Sequence, residues 1–383
     1  RRKYLKLVAP RYTKARRAER SKLLTEMGEV TELHRKSLLR LMHMPSLERA
    51  PRRPRLRRRR YGPQVADAVR VIWESLDYVC AERLTPALLP TAQQLAQWEE
   101  LALTPEIEVA LDNISRATVQ RLLKRFQQDT PKLPRRKPQV PNHLLREVPM
   151  GRLSWATEVP GSFETDLVHH CGPLAAGEYV HTLQLVDVAT GWSERVAMLG
   201  RTQEAMVRGF RRVQERLPFT ITHLHPDNGS EFFNDHLIRY FGEEITGLCL
   251  SRSRPYRKND NRFVEQKNST LVRAYVGYER LDTGGECVAL NTLYDQLWVY
   301  YNLFQPVMHL VSKEVVDGKL RRKWDRAQTP YQRLLSSGIL SSEEETRLAS
   351  LYVGTNLRQL HKDIYKAVEQ LLTDMPIPYG IPH

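Results

Sequence analysis

Between residues 162 and 278 the chain alternates two hydrophobic periods in a fixed order, and that order restricts the fold more than anything else in it. SFETDLVHH (162–170), YVHTLQLVDVAT (179–190) and WSERVAML (192–199) run apolar or alternate as strands do, with Gly191 as a break between the last two. Residues 203–217 change to the helical period. ITHLHPD (221–227) reads as a short buried strand, EFFNDHLIRYFGE (231–243) as a helix, TGLCLSRS (246–253) as a strand and NRFVEQKNSTLVRAYVGY (261–278) as a long helix. The order β-β-β-α-β-α-β-α describes a mixed five-stranded sheet covered by helices.

Three acids occupy telling places in this stretch. Asp166 lies inside the first strand, Asp227 ends the fourth just before Asn228-Gly229-Ser230, and Glu265 lies on the long helix. A carboxylate in a buried strand is costly unless it is paired or bound to a metal. Three converging carboxylates raise one another's pKa unless a cation intervenes. Oxygen-only ligands select hard divalent ions such as Mg2+, and two such ions about 4 Å apart can clamp the attacking and leaving oxygens of a phosphodiester displacement. Asp187 is a further acid in a strand, read here as a hairpin-edge residue, and Glu231 suits a helix start.

FETDLV, LHPDNGSEF and SRPYRKNDNRFVEQKNSTL resemble the three signature segments of DDE transposases of the retroviral-integrase type, with 37 residues between Asp227 and Glu265. The resemblance covers roughly 155–280. With the helical segments before it and HLVSKEVVDGKLRRKWD and TPYQRLL after it, the chain is similar to bacterial insertion-sequence transposases. The resemblance implies an RNase H-like core in which Asp166, Asp227 and Glu265 are the catalytic residues and ligands of two Mg2+ (or Mn2+) ions. It implies hydrolysis at a transposon end followed by attack of the freed 3′-OH on target DNA. Relatives often carry Lys or Arg seven residues after the glutamate; here that position is Val272, followed by Arg273.

On the helix of Glu265, positions −3 and +3 share its face and +2 does not. Arg262 and Asn268 are therefore the better candidates for DNA contacts, and the plainer reading of Lys267 is a solvated side chain. The basic loop 251–260, with Arg257 and Lys258, is a strand-guiding candidate.

Charge is distributed very unevenly. The chain of 383 residues carries +15, yet residues 1–60 hold 21 Lys/Arg against 5 Asp/Glu, and the remainder holds 38 against 39. A basic block of this kind is an electrostatic footprint for a phosphate backbone, and a solvated tail would not account for the helical pattern around it. Leu23, Leu24, Met27, Leu38, Leu39 and Leu41 recur at helical spacing, with a turn expected between Gly28 and Leu33. The second helix, HRKSLLRLM (34–42), presents His34, Arg35, Lys36 and Arg40, as a recognition helix would. An ordinary amphipathic hairpin is the plainer reading. APRRPRLRRRRYGP (50–63) is an extended linker whose Arg52, Arg53, Arg55, Arg57, Arg58, Arg59 and Arg60 suit a minor groove, or simply a connector.

Residues 63–128 read as a second helical DNA-binding domain. Thr104-Pro105-Glu106 starts one helix and Ser115 caps the next, whose Arg116, Gln120, Arg121 and Lys124 lie largely off the apolar face; a charged surface helix is the alternative. The expected organisation is multidomain: a first helix-turn-helix domain over 1–49, the linker 50–62, the second helical domain 63–128, a Pro-rich linker 129–152, an α/β RNase H-like core 153–282, and a mostly helical region 283–383 with a hairpin at 308–325. Cys80, Cys171, Cys249 and Cys287 form no CxxC pair, and His169-His170-Cys171 lacks a second ligand pair, so zinc is not expected. No apolar run reaches the ~20 residues of a membrane helix, and no signal peptide opens the chain. The expected setting is bacterial or archaeal cytoplasm, with double-stranded DNA as partner and a homodimer or larger assembly on it. Two other functions remain open at this point: a domesticated, non-catalytic DNA-binding regulator, and a structure-selective RNase H-like nuclease.

Overall fold

The computed structural model describes residues 1–44, 61–126, 159–226, 240, 247–251, 261–316 and 319–373. The chain divides into two compact units, Arg1–Arg60 and Tyr61–His383.

The first unit holds three helices, α1 (Arg2–Lys14), α2 (Arg17–Thr31) and α3 (Arg35–Met42). They close on their own core of Leu5, Val8, Tyr12, Ala15, Leu23, Leu24, Met27 and Leu38. Helix α1 was not anticipated: its charged sequence hides an apolar stripe of only three buried side chains, Leu5, Val8 and Tyr12. The turn between α2 and α3 is tighter than expected. Helix α2 runs on to Thr31, Glu32 takes the left-handed conformation (φ 56°), and His34 caps α3 by accepting from the Lys36 N–H.

In the second unit the strands are β1 (Ser162–His169), β2 (Val180–Asp187), β3 (Ser193–Leu199), β4 (His223–Pro226) and β5 (Cys249–Leu250). They form one sheet in the order β3-β2-β1-β4-β5. The β1–β2 and β2–β3 pairs are antiparallel, whereas β1–β4 and β4–β5 are parallel. This is the mixed five-stranded sheet expected from the segment order. β1 is central, with a neighbour on each edge; Phe163 and Leu167 lie on one face, and Glu164, Asp166 and Val168 on the other.

Helices α4 (Pro63–Ser75), α5 (Ala81–Gln97), α6 (Pro105–Asn113) and α7 (Arg116–Leu123) precede the sheet, and α8 (Gln203–Arg216) connects β3 to β4. Gly209 of α8 lies so close to the sheet that a Cβ there would collide with Met198 Sδ. After β5 come α9 (Arg262–Lys267), a π-helical turn (Asn268–Arg273) and α10 (Ala274–Val276). Helix α11 (Gly284–Val299) is followed by a second π turn (Tyr300–Phe304), the hairpin β6 (Leu310–Val316) and β7 (Lys319–Trp324), and helices α12 (Pro330–Ser337), α13 (Ser342–Val353) and α14 (Leu357–Thr373). The helix starts read from sequence carry their side-chain caps: Thr104 accepts from Ile107 N–H, Ser115 from Thr118 N–H, and Thr329 forms a full capping box with Gln332.

Helices α4–α7 do not form a core of their own. Val69, Ile72, Leu84, Leu88 and Val119 belong to the same apolar cluster as the sheet and α11–α14. The compact units therefore part near residue 60, not near 128; the linker assigned to 129–152 lies outside the described residues. The joint is polar as well as apolar. Tyr300 Oη donates to Ser75 O (3.0 Å), and Gln305 Nε2 to Leu76 O (3.0 Å). Asp77, left-handed at φ 56°, accepts from Tyr365 Oη at 2.5 Å and Tyr275 Oη at 3.4 Å, with His361 Nε2 at 3.8 Å. Burial pushes the Asp77 carboxyl up, but these bonds outweigh it and hold it below the usual carboxylate range. Asp77→Ala should cost about 2–3 kcal/mol, because it removes these bonds and places a disfavoured residue at positive φ. Urea unfolding would show it, and a cycle with Tyr365→Phe would show coupling between the two sites; additive effects would refute the joint.

Candidate functional site

Asp166 stands on the face of β1 that also carries Glu164. Across the sheet Asp166 is opposite Gln184 of β2, and Gln184 is opposite Arg195 of β3, so the three form a row on one face. Asp166 is half-buried. Its Oδ1 accepts from Leu167 N–H at 2.8 Å and its Oδ2 from Asn268 Nδ2 at 2.6 Å. The last residue of β4, Pro226, is opposite Thr165. The next residue in the chain is Asp227, which lies outside the described residues, as do Arg257, Lys258 and Arg52, Arg53, Arg55 and Arg57–Arg60.

Glu265 is exposed on α9. That helix is held at its start in an unusual way. Its own N-cap residue, Asn261, makes no side-chain capping bond. The cap comes from β1 instead: Glu164 Oε2 accepts from Phe263 N–H at 2.8 Å and Val264 N–H at 3.0 Å. Glu164 is buried, and burial lifts its carboxyl to about 8 against the opposing pull of those two N–H groups and of Arg262. The strand of Asp166 and the helix of Glu265 are thus tied twice, by Glu164 two residues before the aspartate and by Asn268 three residues after the glutamate. The signal for Glu164 was present in the sequence, since acids at i and i+2 of a strand share a face. Glu164→Ala would leave two N–H groups of a buried helix start unbonded and should cost about 2–4 kcal/mol in urea unfolding. Glu164→Gln, which keeps one acceptor oxygen, should cost less; equal losses would sink the capping role.

Asn268, expected to face DNA, is occupied by Asp166. Arg262 is half-buried, with its guanidinium 4.5 Å from the Phe263 ring centroid. Lys267 corrects an expectation. It is buried, with Nζ 4.7 Å from the Tyr301 ring centroid, and burial together with Arg83 and Arg195 lowers its ammonium to about 7. Arg195 is also buried, lying 5.9 Å from the Tyr294 and Tyr301 ring centroids, and burial pulls its guanidinium down to about 10. Sequence reasoning passed over Arg195 because a basic residue in a strand gives no sign of which sheet face it occupies once both faces are covered. Val272 is fully buried, and Arg273 donates to His169 O (2.7 Å) and Gly277 O (3.1 Å). Asp187 closes the β2–β3 turn by accepting from Gly161 N–H, Thr190 N–H and Thr190 Oγ1.

The remaining expected DNA contacts are surface residues. His34, Arg35, Lys36 and Arg40 lie on or beside α3 at the surface, with Arg35 Nη2 donating to Ser21 Oγ at 2.9 Å. Arg116, Gln120, Arg121 and Lys124 lie on the outer side of α7, where Arg116 is 3.8 Å from Glu82.

Asp166 and Glu265 are hard oxygen donors on elements fixed against each other, which is the donor chemistry of a Mg2+ or Mn2+ site. Among the described residues no group of three His, Cys, Asp or Glu could hold a metal ion; the third expected ligand is Asp227. No helix of the described residues is long and apolar enough to cross a membrane.

No protein-family profile matches the chain. A 112-residue segment, 29% of this chain, is 29% identical to 9% of the Pro-Pol polyprotein of feline foamy virus. The catalytic core domain of BIV integrase superposes on 46% of this chain and 95% of its own, with 18% identity and a TM-score of 0.32. The uncharacterized protein y4rM of Sinorhizobium fredii is 34% identical over 327 residues, spanning 85% of this chain and 92% of its own. At that identity and coverage, this chain belongs to the y4rM family.

Proposed function

We propose that this protein is a DNA transposase, a metal-dependent polynucleotidyl transferase that cleaves at transposon 3′ ends and joins them to target DNA. The observation that carries the reading is the double tie between the strand of Asp166 and the helix of Glu265, through Glu164 and Asn268, with β4 ending one residue before Asp227. Converging carboxylates raise one another's pKa unless a cation intervenes, so a site built from Asp166, Asp227 and Glu265 would call for divalent ions. The foamy-virus likeness supports the same chemistry.

Asp166, Asp227 and Glu265 would hold two divalent ions, Mg2+ or Mn2+. When bound, these ions supply charge neutralisation at the phosphate and an activated water or 3′-OH. The protein's own part is alignment. Asn268 fixes the Asp166 carboxylate in one orientation, and Glu164 fixes the first turn of the helix that carries Glu265. No covalent enzyme intermediate is needed. Helix α3, the Arg/Pro linker and α7 would bring duplex DNA, and two transposon ends held together call for at least a dimer.

The test is a joining assay with the full chain, Mg2+ and a duplex ending in the inverted repeats that flank the gene. Joined products that disappear with EDTA are expected. Cleavage without joining would favour a nuclease, and end binding with neither reaction a regulator.

A further inference from the structure

Strands β6 and β7 form a two-stranded ribbon that pairs with no other strand among the described residues. Isolated ribbons are marginal in water and need support from the rest of the fold. Four consecutive residues of β7, Arg321, Arg322, Lys323 and Trp324, are exposed. Successive strand residues point to opposite faces, so both faces of this ribbon are open along β7. Among the described residues, none of the three basic side chains makes an ion pair or a hydrogen bond. Between Leu310 and Trp324 the sequence holds five basic residues and two acidic ones, in a unit whose total is otherwise close to neutral.

The base of the ribbon is firmly seated. His309 N–H donates to Asp325 Oδ1 (2.7 Å), Asp325 N–H donates to His309 O (3.0 Å), and Arg333 pairs with Asp325 at 2.7 Å. The seat is also close to the candidate active site. The His309 ring lies 6.5 Å, centroid to centroid, from that of Phe263, whose own N–H is bound by Glu164 at the start of the Glu265 helix. A strand of this length spans about 20 Å, so the ribbon extends from beside the site for roughly six base pairs of duplex.

We infer that the β6–β7 ribbon is a DNA arm, whose Arg321, Arg322 and Lys323 hold the phosphate backbone of a duplex engaged at the Asp166–Glu265 site. The inference rests on the transposase reading for its ligand class. A basic ribbon with two open faces suits a duplex groove and backbone; its exposed side chains are three cations in succession, with Val311, Glu314 and Trp324 beside them, whereas a protein partner would call for an apolar centre.

The test uses the full chain and a 40-base-pair duplex of arbitrary sequence, titrated over a range of salt concentrations. The triple variant R321Q/R322Q/K323Q should keep its Tm, since the three side chains are exposed and fill no core. It should reduce the slope of log K against log salt by about 3, one for each phosphate no longer neutralised. An unchanged slope in the variant, with the parent chain binding normally, overturns the arm and leaves the transposase reading intact. Failure of the parent chain to bind duplex at all overturns both. An altered oligomeric state without DNA, together with an unchanged slope, would assign the ribbon to a protein interface and also overturns the proposal.

Discussion

Glu265→Gln should abolish both end cleavage and strand transfer, lowering each by at least about 10^3-fold, while leaving DNA binding unchanged and Tm little changed. The side chain is exposed and its removal opens no core. Its replacement by a neutral isostere keeps the side chain's size and removes the charge that the proposed metal site would use. Asp166→Asn should abolish the same two steps with a different stability signature. Both Asp166 oxygens accept hydrogen bonds, from Leu167 N–H and from Asn268 Nδ2, and an amide can satisfy only one of these donors. A loss of about 1 kcal/mol in urea unfolding is therefore expected for Asp166→Asn and a smaller one for the exposed Glu265→Gln. Asp227→Asn should match them in activity. Single-turnover joining assays in Mg2+ and Mn2+ are the measurement. Normal strand transfer by any of the three variants would remove that residue from the catalytic set.

Deleting residues 1–60 should lower affinity for duplex DNA by about 100-fold or more near 0.1 M salt, and should flatten its salt dependence. The deleted unit carries 21 Lys/Arg against 5 Asp/Glu, and the remainder is close to neutral. If about six of those basic side chains meet phosphates, the slope of log K against log salt falls by about 5. The rest of the chain should keep its melting behaviour, because the cores are separate: Leu5, Val8, Leu23, Met27 and Leu38 close one, and the sheet with its helices closes the other. Isothermal or fluorescence titration at several salt concentrations, with a parallel thermal melt, checks both halves of the expectation. Unchanged affinity would move the DNA-binding surface to α7 and the β6–β7 ribbon.

The order of elements was legible because each rests on a local rule. Phe163, Leu167 and Val168 mark β1 by strand periodicity, and Thr104, Ser115 and Thr329 mark helix starts by the hydroxyls that cap them. Asp166 and Glu265 stood out because a carboxylate in an apolar strand, and another within a matching motif, each need a reason. Helix α1 was missed because three buried side chains among many charges give little periodic signal. The joining of α4–α7 to the C-terminal helices was missed because it depends on Asp77 meeting Tyr365, far along the chain, and no local pattern encodes such a meeting.

The carboxylates themselves, the segment order that makes a mixed sheet, and the gathering of positive charge into the first 60 residues were determined by the sequence alone, since each is a matter of residue type and spacing. Only the tertiary structure decided that Glu164 caps the helix of Glu265, that Asn268 turns to Asp166, and that Lys267 is buried against Tyr301. Those facts depend on which sheet face meets which side of a helix. Helical periodicity gives the face of a helix, but what that face meets is set by how the whole sheet and its covering helices fill space.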